Sequence, residues 1–164
     1  MAEMSFSGDE MQLVVFKLDK EEYGVSILQV QEIKQLKRVV DITRVPYTPD
    51  YIKGVLNLRG SVIPIIDLKK RLRKKPADKY TDATRIIFVH VGDMTVGVIV
   101  DAVSEVTAIE KSTIEAPEIV VGAVDAAYLS GVGKSGDRLI ILLNVEMIVG
   151  LGAELKNQAL GTAV

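Results

Sequence analysis

Apolar and polar positions recur along this chain with a fixed spacing. Leu13–Ile33 (LVVFKLDKEEYGVSILQVQEI) lies over Ile86–Val106 (IIFVHVGDMTVGVIVDAVSEV) at a constant shift of 73 residues. Positions 13, 14, 15, 16, 18, 23, 25, 27, 30 and 33 all meet apolar partners, and Gly24, Val25, Val30 and Glu32 meet identical residues at 97, 98, 103 and 105. Short Val, Ile and Leu runs bounded by turn residues predict strands rather than long helices. Asp19–Glu22 in one copy and Gly92–Thr95 in the other predict hairpin turns.

The second part of the repeat is looser. Val62–Leu68 (VIPIIDL) aligns with Leu139–Val145 (LIILLNV) at a shift of 77, and Gly54-Val55 falls on Gly131-Val132. Two similar β-rich units follow, a first subdomain at 11–82 and a second at 83–145. Units this small bury only about 60% of their unfolded surface, so they are expected to pack together. Closing each sheet removes exposed strand edges. The charged, Pro76-containing stretch Lys69–Thr84 marks the boundary. Helical signals are short: a turn at Ser26–Gln29, one or two turns at Tyr47–Lys53 after Pro46, and a terminal helix from Glu146 that opens the C-terminal segment 146–164. Residues 1–10 are expected to be a flexible tail.

One apolar stretch, Gly54–Leu68 (GVLNLRGSVIPIIDL), carries an amide and a guanidinium in its midst. Period-two geometry turns Leu56 and Leu58 inward and Asn57 and Arg59 outward. Gly60 permits a turn or bulge, and Pro64 lacks a donor, so the segment is a strand, a bend and a second strand. Alternation leaves two roles open for Arg59, a plain surface arginine or a planar five-donor handle for recognition.

Composition removes several kinds of chemistry. The 164 residues are 48% apolar and 26% charged, which is globular. Lys and Arg number 20 against 22 acidic residues, so bulk charge does not favour nucleic acid. Cysteine is absent, which excludes thiol catalysis, disulfides and cysteine zinc sites and suits a cytoplasmic protein. The N-terminus does not read as a signal peptide, and the longest apolar tract, broken by Asn144 and Glu146, is too short to span a bilayer. His90, the single histidine, sits where the other copy has Lys17, and is expected to point outward without a catalytic or metal partner. Gly131–Gly136 (GVGKSG) matches the dinucleotide fingerprint, but a strand-like run follows it where a helix is required, so it reads as a hairpin turn. Lys69–Lys75 (KKRLRKK) reads as a solvated connector, and it supports the alternative of a small β-barrel nucleic-acid module. No catalytic constellation is present, so neither enzymatic activity nor a cofactor is expected.

YGVSILQVQEI, TPDYIKGVLNLRGSVIPIIDL, VGVIVDAVSEV and YLSGVGKSGDRLIILLNVE, in this order, resemble the CheW family of bacterial chemotaxis coupling proteins from about Gln12 to Gly150. The resemblance implies a mainly β fold, two SH3-like five-stranded β-barrels packed around a shared apolar interior with a few short helices. It also implies an adaptor that links the histidine kinase CheA, through its CheW-like regulatory domain, to the cytoplasmic tips of transmembrane chemoreceptors. Such a protein is cytoplasmic, recruited to receptor arrays, and neither inserts into the membrane nor binds nucleic acid. Matched by position, the family's receptor-facing surface falls on Val30, Glu32 and Arg59, and Asn57 joins them by alternation. A receiver domain, carried by some relatives, does not fit in this length.

Overall fold

The structure is a computed structural model that describes residues 9–39, 41–72, 80–117 and 126–148. The described residues form eleven strands: β1 (Glu10–Leu18), β2 (Glu21–Ser26), β3 (Val30–Gln35), β4 (Ile42–Thr43), β5 (Ile52–Leu58), β6 (Ser61–Asp67), β7 (Arg85–Val91), β8 (Met94–Val100), β9 (Ala102–Glu110), β10 (Leu129–Ser135) and β11 (Arg138–Leu143). One short helix, α1 (Leu68–Arg71), follows β6. The turn expected at Ser26–Gln29 is a 3-10 turn over Ile27–Gln29, capped by the Ser26 hydroxyl. Tyr47–Lys53 is not helical. Tyr47 takes a left-handed φ of 63°, Pro49 removes a donor, and β5 already begins at Ile52. The expected tail gives up its last two residues, since Glu10 opens β1 and the Asp9 carbonyl accepts from Lys111 N at 2.8 Å. Residues 145–148 are helical, while 1–8 and 149–164 lie outside the described residues.

The strands form two sheets, ordered β10-β11-β2-β1-β9 and β3-β7-β8-β6-β5-β4. Read from the other end and without the two-residue β4, the second is β5-β6-β8-β7-β3, the same order as the first with each strand replaced by its repeat mate. The duplication is therefore real, but the copies exchange strands. β3 pairs with β7 of the other copy, and β9 pairs with β1. The contiguous subdomains expected at 11–82 and 83–145 do not map onto the sheets. Chain length explains the exchange of β9. Asp101 alone separates β8 from β9, leaving at most about 7 Å of chain. Returning β9 to the far edge of its own hairpin requires two strand spacings, about 10 Å. The strand passes to the neighbouring sheet instead.

Both sheets curl. Flat, β3 and β5 would stand four strand spacings apart, about 19 Å, yet Glu32 of β3 reaches Arg59 at the end of β5 at 2.6 Å. In the other sheet Glu105 of β9 meets Arg138 of β11 at 3.0 Å, and Glu115 and Val132 exchange two backbone hydrogen bonds of 2.9 Å. Alternation along each strand then feeds two interiors. Leu13, Val15, Ile109, Ile140 and Leu142 fill the first curl, and Ile65, Ile86, Phe88 and Ile99 are among those filling the second. The alternate residues Val14, Phe16, Leu18, Ile87, Val89 and Val98 face a larger core between the sheets. Burial on both faces is why LVVF and IIFV read as unbroken apolar runs. The repeated glycines have a packing reason too: a Cβ on Gly24 would sit 3.0 Å from Ile140 Cγ2, and one on Gly97 would sit 2.7 Å from Ile65 Cδ1.

Gly54 is held more tightly. It lies at a bulge opposite β6 with φ 155°, and a Cβ there would stand 2.3 Å from the Thr43 carbonyl oxygen. Gly54→Ala must push β4 away from β5, a cost of about 2 kcal/mol. Thermal denaturation followed by circular dichroism should show a midpoint lowered by about 4–8 °C.

Candidate functional site

β3 supplies one side of the site. Its register against β7 slips between Val30 and Glu32, so Gln31 is an extra residue and the strand bends there. Val30 is half-buried and packs on the large core. Beside it Leu28 is 72% exposed and Ile33 is 38% exposed, leaving aliphatic surface open along this edge. Glu32 points to the opposite hairpin.

That hairpin, β5–β6, supplies the other side. Leu58 and Ser61 pair, leaving Arg59 and Gly60 as a two-residue loop with φ of 53° and 86°. Two successive positive φ values define a type I′ turn, whose first position usually holds Asn, Asp or Gly. An arginine there is uncommon. The backbone N–H of Gly60 donates to Asn57 Oδ1 at 3.1 Å, so Asn57 braces the turn that presents Arg59. Leu56 is buried and Leu58 half-buried, as alternation predicts. Arg59 departs from the expected strand position because the strand ends at Leu58.

Arg59 Nη1 donates to Glu32 Oε2 at 2.6 Å and Nη2 to Oε1 at 3.4 Å, while Lys34 Nζ lies 3.6 Å from Oε1. The hydrogen bond from Arg59 holds the Glu32 carboxyl below the usual carboxylate range; burial opposes it, and the charges of Arg59 and Lys34 reinforce it. Glu32 in turn raises the Arg59 guanidinium above its ordinary value. Three of the four expected residues thus meet in one constellation, with Val30 two residues away on the same strand. The site is cationic, solvent-facing and edged by aliphatics, a surface for a macromolecule rather than a cavity for a small molecule.

The basic run contains functional geometry that its composition hid. Lys69 and Arg71 are 5% and 6% exposed, so the first half of the expected connector is interior; residues 73–75 lie outside the described residues. Lys69 Nζ reaches Asp19 Oδ1 at 2.9 Å and Asp101 Oδ2 at 3.0 Å. Burial opposes its charge, but the two carboxylates prevail and raise its pKa. Arg71 lies between two rings, 4.9 Å from the centre of Tyr51 and 4.2 Å from that of Tyr128. Its Nη1 donates to the Tyr128 hydroxyl and its Nη2 to the Met147 carbonyl at 3.2 Å. Tyr51 precedes β5 and Tyr128 precedes β10, so Arg71 ties the two sheets together. The acidic and aromatic partners lie 20 to 57 residues away in sequence, beyond the reach of any local signal.

His90 is half-buried. Gly131–Ser135 lie within β10 and only Gly136 enters the β10–β11 turn, so most of the expected hairpin turn is strand. Among the described residues no group of three metal-ligating side chains occurs, and no helix is long and apolar enough to cross a membrane.

The CheW-like domain family matches residues 12–151, which takes in all of both sheets but the first two residues of β1 and includes the site. The chain belongs to the CheW family. The chemotaxis protein CheW of Klebsiella aerogenes is 40% identical over 139 residues, covering 84% of this chain and 81% of that protein. The CheW of Bacillus subtilis is 38% identical over 144 residues, 87% of this chain and 88% of that one. The crystal structure of the scaffolding protein TtCheW from Thermoanaerobacter tengcongensis aligns with a TM-score of 0.74 at 40% identity, over 82% of this chain and 84% of that one. CheW relatives therefore share both the sequence and the paired-sheet fold.

Proposed function

We propose that this protein is a chemotaxis adaptor that couples transmembrane chemoreceptors to the histidine kinase CheA. Membership of the CheW family across residues 12–151 supports the scaffold role. The observation that carries the receptor assignment is the Arg59–Glu32 pair, an arginine displayed in a strained turn and oriented by a single carboxylate. A helix of the receptor tip lies along the β3 edge, its apolar side on Val30 and its polar side at Glu32, Asn57 and Arg59. The kinase's CheW-like regulatory domain, built on the same design, packs against a different face. Receptor rearrangements bias the kinase where the contacts differ between signalling states. The protein works in the cytoplasm beside the membrane-bound array, contributes placement rather than bond-breaking, and needs no cofactor.

The nucleic-acid alternative loses ground because Lys69 and Arg71 are engaged in the interior. Reconstitution tests the adaptor reading: a receptor fragment and CheA, with and without this chain, reading autophosphorylation. Receptor control should require the protein, and Glu32→Ala should reduce that control while its melting curve keeps a single transition. Kinase activity that follows the receptor equally without this chain refutes the proposal.

A further inference from the structure

The repeat register carries the receptor-facing strip onto the other sheet. Val30, Glu32 and Ile33 of β3 correspond to Val103, Glu105 and Val106 of β9. Val30 and Val103 are both partly buried on the large core, and Ile33 and Val106 are both bare, at 38% and 54% exposed. Each glutamate takes an arginine from the second hairpin of its own repeat copy: Glu32 takes Arg59, and Glu105 takes Arg138 at 3.0 Å. The same valine, ion pair and uncovered aliphatic are thus displayed twice.

The copies differ in one carboxylate. Arg138 is also gripped by Glu22, with Nε to Oε1 at 2.9 Å and Nη2 to Oε2 at 2.9 Å. Every nitrogen of that guanidinium is committed, and its side chain is 36% exposed against 66% for Arg59. The repeat mate of Glu22 is Thr95, whose hydroxyl donates to Gln31 instead. Around Glu32 the cations Arg59 and Lys34 leave a positive balance; around Arg138 the carboxylates of Glu22 and Glu105 are offset by the guanidinium and by Lys17, leaving no surplus of either sign.

We infer that Val103, Glu105, Val106 and Arg138 form a second strip able to dock an amphipathic helix of the receptor-tip class, and that Glu22 is the specificity-determining residue that keeps it closed. A bidentate carboxylate occupies the Nε–Nη2 edge that a partner would use and cancels the positive charge that the first strip keeps. The exchanged topology yields two equivalent edges, and Glu22 leaves one in service, so each chain takes a single receptor helix. This inference rests on the receptor reading of the first strip.

Calorimetric titration of the full-length protein with a receptor cytoplasmic hairpin fragment tests it. The unmodified chain and Arg59→Ala come first. One fragment per chain, lost in Arg59→Ala, upholds the receptor reading; undiminished binding by Arg59→Ala overturns that reading and this inference with it. Glu22→Gln should then raise the stoichiometry towards two, and in the Arg59→Ala background it should restore one fragment per chain. A folded Glu22→Gln protein that still binds one, and a double variant that binds none, would reduce Glu22 to a staple between β2 and β11. If Glu22→Gln does not fold, Thr95→Glu asks the question from the other side. A carboxylate added beside the first strip should weaken binding about tenfold, and unchanged affinity would equally overturn the inference.

Discussion

Arg71→Ala lowers the unfolding midpoint by about 6–12 °C and loosens the helical residues 145–148. The guanidinium fills the space between the Tyr51 and Tyr128 rings, a stacked cation shielded from water. Such a contact contributes about 2 kcal/mol, and hydrogen bonds from a charged donor contribute about 1.5–3 kcal/mol more. Against this stands the cost of desolvating a guanidinium that meets no carboxylate among the described residues and whose Nε lacks a partner. A net loss of about 3 kcal/mol follows, because alanine leaves a gap between the rings and strands the Tyr128 hydroxyl and the Met147 carbonyl. Arg71→Met should recover part of the stability by refilling the gap. Amide hydrogen exchange at Met147 and Ile148 should accelerate in Arg71→Ala, since the side chain holds that turn against the tyrosines. A melting point within 2 °C of the unmodified protein's, as an approximate experimental margin, would show that the sandwich is not a joint.

Arg59→Gly weakens receptor binding about tenfold or more and leaves the melting point within about 2 °C of the original. Two backbone effects oppose each other. Glycine adopts φ 53° without strain, and it also gains freedom in the unfolded chain. The lost side chain is mostly in solvent and its ion pair with Glu32 is screened there, so stability barely registers it. Recognition does register it, because the planar fork is removed from the exposed face of the turn. Arg59→Lys should fall between the two, a point charge without the fork. Calorimetric titration with the receptor fragment, paired with a thermal melt, separates the outcomes. Binding equal to that of the unmodified chain, or a protein that fails to fold, would each contradict this account.

Elements with local causes were readable in advance. The apolar repeat and its hairpin turns follow from neighbouring residues and from shifts of 73 and 77 along the chain. The exchange of β3 and β9 was not readable, because a strand's apolar pattern is the same whichever copy of the first strand it pairs with. The interior places of Lys69 and Arg71 were hidden for a related reason. A basic run looks solvated until Asp19, Asp101, Tyr51 and Tyr128 arrive from elsewhere. Within the site, alternation found the outward side of Asn57 but extended the strand one residue too far. Gly60 was the clue, since a glycine after Arg59 suits the second position of a tight turn. The false helix at Tyr47–Lys53 came from weighing both Pro46 and Pro49-Asp50 as helix starters.

The crossed pairing of the two copies sets a timetable for synthesis. All strands of the β3–β8 sheet have left the ribosome once Val100 emerges. The N-terminal hairpin, made first, must wait for β9, β10 and β11 before its own sheet can form. Until Leu143 emerges, Leu13, Val15 and Gly24 have no lumen to enter, and the earliest apolar run is the last to find shelter. Nascent chains stalled between these two points should therefore be the species most prone to aggregate and most in need of a chaperone.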